Sequence, residues 1–291
     1  MKVERLSVIS KDGTTVPVTL IYRRDLVRSH GPSPVLVHVY GCYGENLPMS
    51  YQPWKVPLLD RGWVLAYCHA RGGGEMGRKW DHAALGESKH KTIEDLQACV
   101  RCLHDRSYSK PSLTALYGRS AGGFTVGMFC NVSPELVQAA ILKVPFVNVT
   151  GALSDVSSYL GVKDHEEFGN PLDEAGLRQI QSLCPYYNLK PGQDYPSVLV
   201  AASRRDPIIP FRGVEQYVKR LRQCVSEHKR QSGDHAAWGW GWSSIAHGGG
   251  SQQLPRGSVF FLVDRSGSHD AEDEVAEQCT FLSKALGLHL S

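Results

Sequence analysis

The sequence predicts an α/β domain built on a doubly wound, mostly parallel sheet. Short, fully apolar runs of strand length alternate with longer stretches of helical period, and strands separated in this way pair in parallel with helices covering both faces. At one junction, Leu116-Tyr117-Gly118-Arg119-Ser120-Ala121-Gly122-Gly123, an apolar strand runs into a G-x-S-x-G turn and on into an apolar helix. The 291 residues suit a single domain of this kind over 1–291.

Taken in order, residues 4–23 alternate as a hairpin whose strands, 5–10 and 16–22, flank the turn Lys11-Asp12-Gly13, since Asp-Gly readily takes the positive φ that tight hairpins need. Residues 34–40 and 63–68 read as buried strands. The loop after the second holds Gly72-Gly73-Gly74, which lacks both phosphate-binding glycine frames and reads as a tight structural turn. An amphipathic helix over 92–104 leads to the strand 113–117, and 123–130 reads as the first turns of a buried helix. Later come a strand at 196–203, an amphipathic helix whose solvated face carries Lys219-Arg220-Leu221-Arg222, and a strand at 258–264. Residues 231–256, with Trp238-Gly239-Trp240-Gly241-Trp242 and Gly248-Gly249-Gly250, have no period and read as a long mobile loop near the rim of the site.

The G-x-S-x-G junction carries the chemistry. Gly118 and Gly122 are needed because a Cβ at either place would collide as the backbone reverses, and the helix that follows turns its positive end toward a charge developing at Ser120. A serine alone is a poor nucleophile, so a carboxylate and a histidine should follow in that order. Asp206 lies in the loop after strand 196–203, and His269 in the loop after strand 258–264. The carboxyl edge of an open sheet thereby collects all three residues. Of the twelve histidines, His269 alone directly follows a strong late strand. Asp194 and Asp264 are weaker rivals to Asp206, Asp264 because it stands too near His269 to arrive from a separate strand end. These features predict an α/β-hydrolase fold.

Composition sets the limits. Hydrophobic residues make 42% and charged residues 21%, a globular balance, and a net charge of +3 with scattered basic residues disfavours nucleic acid as a partner. No apolar run approaches the roughly eighteen residues of a membrane span, and residues 1–5 lack a signal-peptide core, so the expected compartment is the cytoplasm. The eight cysteines are irregularly spaced and read as buried thiols; Cys99 and Cys102 have C-x-x-C spacing but fall mid-helix without a second pair, so no metal or cofactor is expected.

With these residues in place, the chain resembles the catalytic domain of the prolyl oligopeptidase family of serine peptidases. The matching blocks are Val37-His38-Val39-Tyr40-Gly41-Cys42-Tyr43-Gly44, Ala66-Tyr67-Cys68-His69-Ala70-Arg71-Gly72-Gly73-Gly74-Glu75, Ser120-Ala121-Gly122-Gly123, Val144-Pro145-Phe146-Val147, Glu167-Phe168-Gly169-Asn170-Pro171 and Ser266-Gly267-Ser268-His269. The resemblance implies Ser120 as nucleophile, His269 as general base and then acid, and Asp206 as the group that orients the imidazole. It also implies an oxyanion hole made by Tyr40 and the backbone N–H of Ala121. Asp164, Glu166 and Glu167 fall where some members carry acidic residues that favour basic side chains.

Two departures matter. Ile208 stands where the peptidases have a substrate-anchoring arginine, and the β-propeller that covers the family's active site has no counterpart in the sequence, which would leave the rim uncovered. The implied activity is hydrolysis of short peptides through an acyl-enzyme. The alternatives are an esterase or thioesterase with little peptidase activity, and a non-catalytic module that binds protein partners.

Overall fold

The computed structural model describes residues 1–27, 31–155, 162–233, 253–264 and 275–288. Its strands are β1 Lys2–Ile9, β2 Thr15–Tyr22, β3 Val35–Val39, β4 Val64–Cys68, β5 Thr114–Arg119, β6 Ala139–Lys143, β7 Ser197–Ser203 and β8 Val259–Asp264. All of them join one sheet in the order β1-β2-β4-β3-β5-β6-β7-β8, so none of the described strands belongs to a propeller blade. The first two pairings, β1 with β2 and β2 with β4, are antiparallel, and every later one is parallel.

The helices are α1 Val56–Leu59, α2 Arg78–His82, α3 His90–Asp105, α4 Ala121–Val132, α5 Val149–Leu153, α6 Val162–Phe168, α7 Glu174–Leu183, α8 Phe211–Ser232 and α9 Val275–Ala285. They divide between the two faces because alternate residues of each buried strand point to opposite sides. Val35, Val37 and Val39 pack with Leu96, Phe124 and Leu221 from α3, α4 and α8, whereas Leu36, Leu65 and Tyr67 pack with Leu58 and Phe281 from α1 and α9. The central strands are therefore buried on both faces and mostly apolar, as the short runs predict, with His38 of β3 and Lys143 of β6 among the buried polar exceptions.

The hairpin turn forms where Asp12-Gly13 places it, with Gly13 at φ +83° and the Ser10 and Thr14 backbones bonded across it. It is tied to the rest of the domain by Asp95 of α3. That buried carboxylate accepts from Ser10 Oγ at 2.6 Å, from the Arg71 N–H at 2.9 Å and from two guanidinium nitrogens of Arg71 at 2.7 and 2.9 Å. The glycine loop after β4 is structural, as expected. Cβ atoms on Gly72 and Gly74 would overlap the carbonyls of Gly41 and Gly44, so this loop packs directly on the one after β3.

All eight cysteines are free thiols, and Cys99 and Cys102 lie within α3. Among the described residues no three His, Cys, Asp or Glu side chains gather as a metal site, and no helix is long and apolar enough to cross a membrane. The loop expected over 231–256 begins two residues too early, because α8 continues to Ser232 and closes on Gly233 at φ +72°. Most of the rest of that segment lies outside the described residues.

Candidate active site

Ser120 sits between β5 and α4 with φ +53° and ψ −120°, a backbone state that a non-glycine residue holds only at a cost of about 1–3 kcal/mol. The surroundings enforce it. Its N–H donates to the Lys143 carbonyl at 2.9 Å, and its own carbonyl accepts from Gly123 and Phe146, each at 2.9 Å, so the turn is bolted to the end of β6. A Cβ on Gly118 would overlap Gly122, one on Gly122 would lie 2.6 Å from the Val39 carbonyl oxygen, and one on Gly123 would overlap Pro145. The sequence argument for Gly118 and Gly122 holds, and Gly123 joins them.

The serine opens onto a cleft of about 910 Å³ lined by residues from the ends of β3 and β5, from α2 and α6, and from the loops after β3 and β7. Tyr40, Ser120 and Ala121 all line it. Ala121 is the first residue of α4, so its N–H has no intrahelical acceptor and is available to an oxyanion. The Tyr40 ring packs against Gly122, its carbonyl accepts from Thr125 Oγ1 at 3.0 Å, and burial raises the phenol above its ordinary pKa, keeping it a hydrogen-bond donor.

Asp206 lies in the loop after β7, where its Oδ1 accepts from the N–H groups of Ile208 and Ile209 at 2.8 and 2.9 Å. This turn carries both isoleucines into the cleft lining, and Ile208 is exposed there. Asp194 is bound instead to Arg256 at 2.8 Å. His269, with the block from Ser266, lies outside the described residues.

The three acidic residues expected to meet substrate all line the cleft, from α6, but differ in what they are free to do. Glu167 is buried and ion-paired with Lys89, while its Oε2 accepts from the Tyr43 N–H at 3.0 Å. Burial raises the Glu167 carboxyl, against the pull of Lys89. Lys89 also donates to the Gly41 carbonyl at 2.8 Å, so the pair fastens the loop after β3 to α6. Asp164 accepts from Tyr43 Oη at 2.7 Å. Glu166 is exposed.

Residues 49–237 match the prolyl oligopeptidase family. Prolyl endopeptidase-like of Gallus gallus is 38% identical over 289 residues, covering 97% of this chain and 37% of that protein. The Xenopus laevis protein of the same name is 43% identical over 294 residues, covering 98% and 39%. Protease 2 of Moraxella lacunata is 33% identical over 225 residues, covering 77% and 32%. Among solved structures, oligopeptidase B from Leishmania major superposes with a TM-score of 0.83 at 29% identity over 98% of this chain and 36% of that one. Oligopeptidase B from Trypanosoma brucei with covalently bound antipain gives 0.82 at 26% identity, covering 99% and 38%. The chain thus spans well under half the length of these relatives. A strained serine at a strand-to-helix elbow, the eight-stranded sheet that holds it and the sequence match together place this chain in the prolyl oligopeptidase family.

Proposed function

We propose that this chain is the catalytic part of a serine hydrolase that cleaves peptide bonds in short peptides. The observation that carries the reading is Ser120, held at positive φ on the elbow, at the head of α4 and in the wall of the cleft. In this mechanism Ser120 Oγ attacks the substrate carbonyl and its proton passes to the imidazole of His269, which Asp206 orients. Negative charge on the carbonyl oxygen is met by Tyr40 Oη and the Ala121 N–H. The C–N bond breaks, the amine leaves with the proton from His269, and water activated by the same imidazole releases the acyl group as a carboxylic acid. A relative in the family that carries covalently bound antipain fits chemistry of this kind.

A preference for basic side chains falls to Glu166, since Glu167 is spent on Lys89 and Asp164 accepts from Tyr43. An esterase or thioesterase reading is favoured by Ile208, an exposed apolar residue on the rim that cannot anchor a peptide backbone as an arginine would. Short peptides are the proposed partners, with protein partners as the alternative.

Fluorophosphonate labelling tests the proposal. Label on the wild-type protein that disappears in Ser120→Ala is expected, and an unlabelled but folded wild type would refute an activated serine and leave a binding module. Turnover of matched peptide and thioester substrates then separates the two hydrolase readings.

A further inference from the structure

The cleft holds a buried cation that no carboxylate among the described residues answers. Lys55, in the turn just before α1, is 4% exposed and lines the cleft. Its Nζ donates to Tyr67 Oη at 3.0 Å and stands 4.9 Å from the Tyr67 ring and 5.4 Å from that of Trp54. No carboxylate among the described residues forms an ion pair with it, and burial alone drives its pKa down, to about 8. Only one of the three ammonium donors is satisfied within the described structure.

His38 of β3 is the second unmet group. It is 3% exposed, lines the same cleft and stacks on Tyr67 with ring centroids 4.9 Å apart, yet its Nε2 has no hydrogen-bond partner among the described residues. Burial, and then the charge of Lys55, lower its pKa well below the ordinary value, so the ring is neutral and in its Nε2–H tautomer can donate. Both groups stand against the same Tyr67 ring, and a buried cation and an idle N–H there are costly unless a ligand completes them. The planar, acceptor-only group that matches two donors gathered on one ring is a carboxylate.

We propose that Lys55 and His38 form a carboxylate subsite in the cleft, which takes either an acidic side chain or a free C-terminal carboxylate of the substrate. The proposal rests on the reading of this cleft as the place where substrate lies. Its distance from the reacting centre follows from the sheet. His38 stands two residues before Tyr40 on β3 and pairs with Tyr117, three residues before Ser120 on β5. At about 3.3 Å per residue the subsite lies roughly 7–10 Å behind the rim, or about two to three residues of extended peptide from the cleaved bond.

The test uses Ser120→Ala protein and calorimetric binding of short blocked alanine peptides containing one lysine. In one series a Glu, or Gln in its control, moves one position at a time; in the other, identical peptides end in a free acid or an amide. A charge-assisted pair should make the carboxylate form bind roughly tenfold to a hundredfold tighter at one spacing, and the series showing this names the source. Adding Lys55→Met should bring the ratio near unity, and His38→Phe, which keeps a ring on Tyr67, should reduce it. Equal binding of acid and neutral forms, or a preference that survives Lys55→Met, would overturn the subsite. The binding arm needs no turnover, so carboxylate-dependent binding by a protein that fails fluorophosphonate labelling would uphold the subsite while refuting the hydrolase reading.

Discussion

Lys55→Met should make the protein more stable. The ammonium's pKa falls from 10.5 to about 8 in the fold with burial as the cause, so holding the charge there costs about 3 kcal/mol near neutral pH, at about 1.4 kcal/mol per unit. Methionine fills a similar volume without charge, but the hydrogen bond to Tyr67 is lost, which takes back about 1 kcal/mol and leaves a net gain of about 2 kcal/mol. The sign with pH is fixed by proton count. Between the folded and unfolded values the unfolded chain binds more protons at residue 55, so wild-type stability rises with pH relative to the variant. By about pH 9.5 the penalty has shrunk to roughly 1.4 kcal/mol and the two proteins should be nearly equal. Urea unfolding of both at about pH 7 and about pH 9.5 measures this, because the other titrating groups are common to both chains and cancel. A variant less stable than wild type at neutral pH, or a gap that stays constant as pH rises, would show that the buried ammonium is already compensated.

Tyr40→Phe removes one oxyanion donor and is expected to cut kcat by roughly 10²-fold to 10³-fold with little change in KM, read in the peptide assay; a change confined to KM would count against the assignment. Gly123→Ala drives a methyl into Pro145 and should cost about 1–3 kcal/mol in thermal or urea unfolding, with a matching loss of fluorophosphonate labelling as the elbow shifts. Glu167→Gln leaves Lys89 charged and buried, so a loss of about 3–5 kcal/mol is expected in urea unfolding, whereas the double change Lys89→Met with Glu167→Leu should recover most of it. Glu166→Gln should leave stability within about 0.5 kcal/mol and lower kcat/KM for peptides with Lys or Arg before the cleaved bond, while Gln-containing peptides are unaffected.

The elements legible in the sequence are those whose local chemistry and burial agree. The Asp12-Gly13 hairpin, the strands that become β3, β4, β5, β7 and β8, and the elbow at Ser120 each have a turn signal or an unbroken apolar run to mark them. β6 was not legible. Ala139–Lys143 is five residues long and follows closely on the apolar helix α4, and so short an apolar run carries no period that separates strand from helix. The short helices α5 and α6 and the longer α7 are equally hard to read from sequence. Asn148 and Asp173 cap α5 and α7 through side-chain oxygens that accept from Gly151 and Gly176, a signal present in the sequence but easily taken for a turn. The cleft-lining residues Lys55 and His38 left traces too: a lysine inside Pro53-Trp54-Lys55-Val56-Pro57-Leu58, and a histidine in the all-buried strand Val35–Val39.

The family resemblance groups Asp164, Glu166 and Glu167 as one acidic patch, and their partners separate them. A carboxylate can recognise a cationic substrate only to the extent that no protein cation already holds it, and Glu167 is held by Lys89 with both groups buried. The same test applied to the basic side of the cleft gives the opposite answer, because Lys55 is buried without any counter-ion among the described residues. Buried charge therefore marks scaffolding where it is paired and a recognition point where it is not. By that criterion the buried charge left unpaired among the cleft's described residues is positive, although its more numerous acidic side chains suggest a preference for cations.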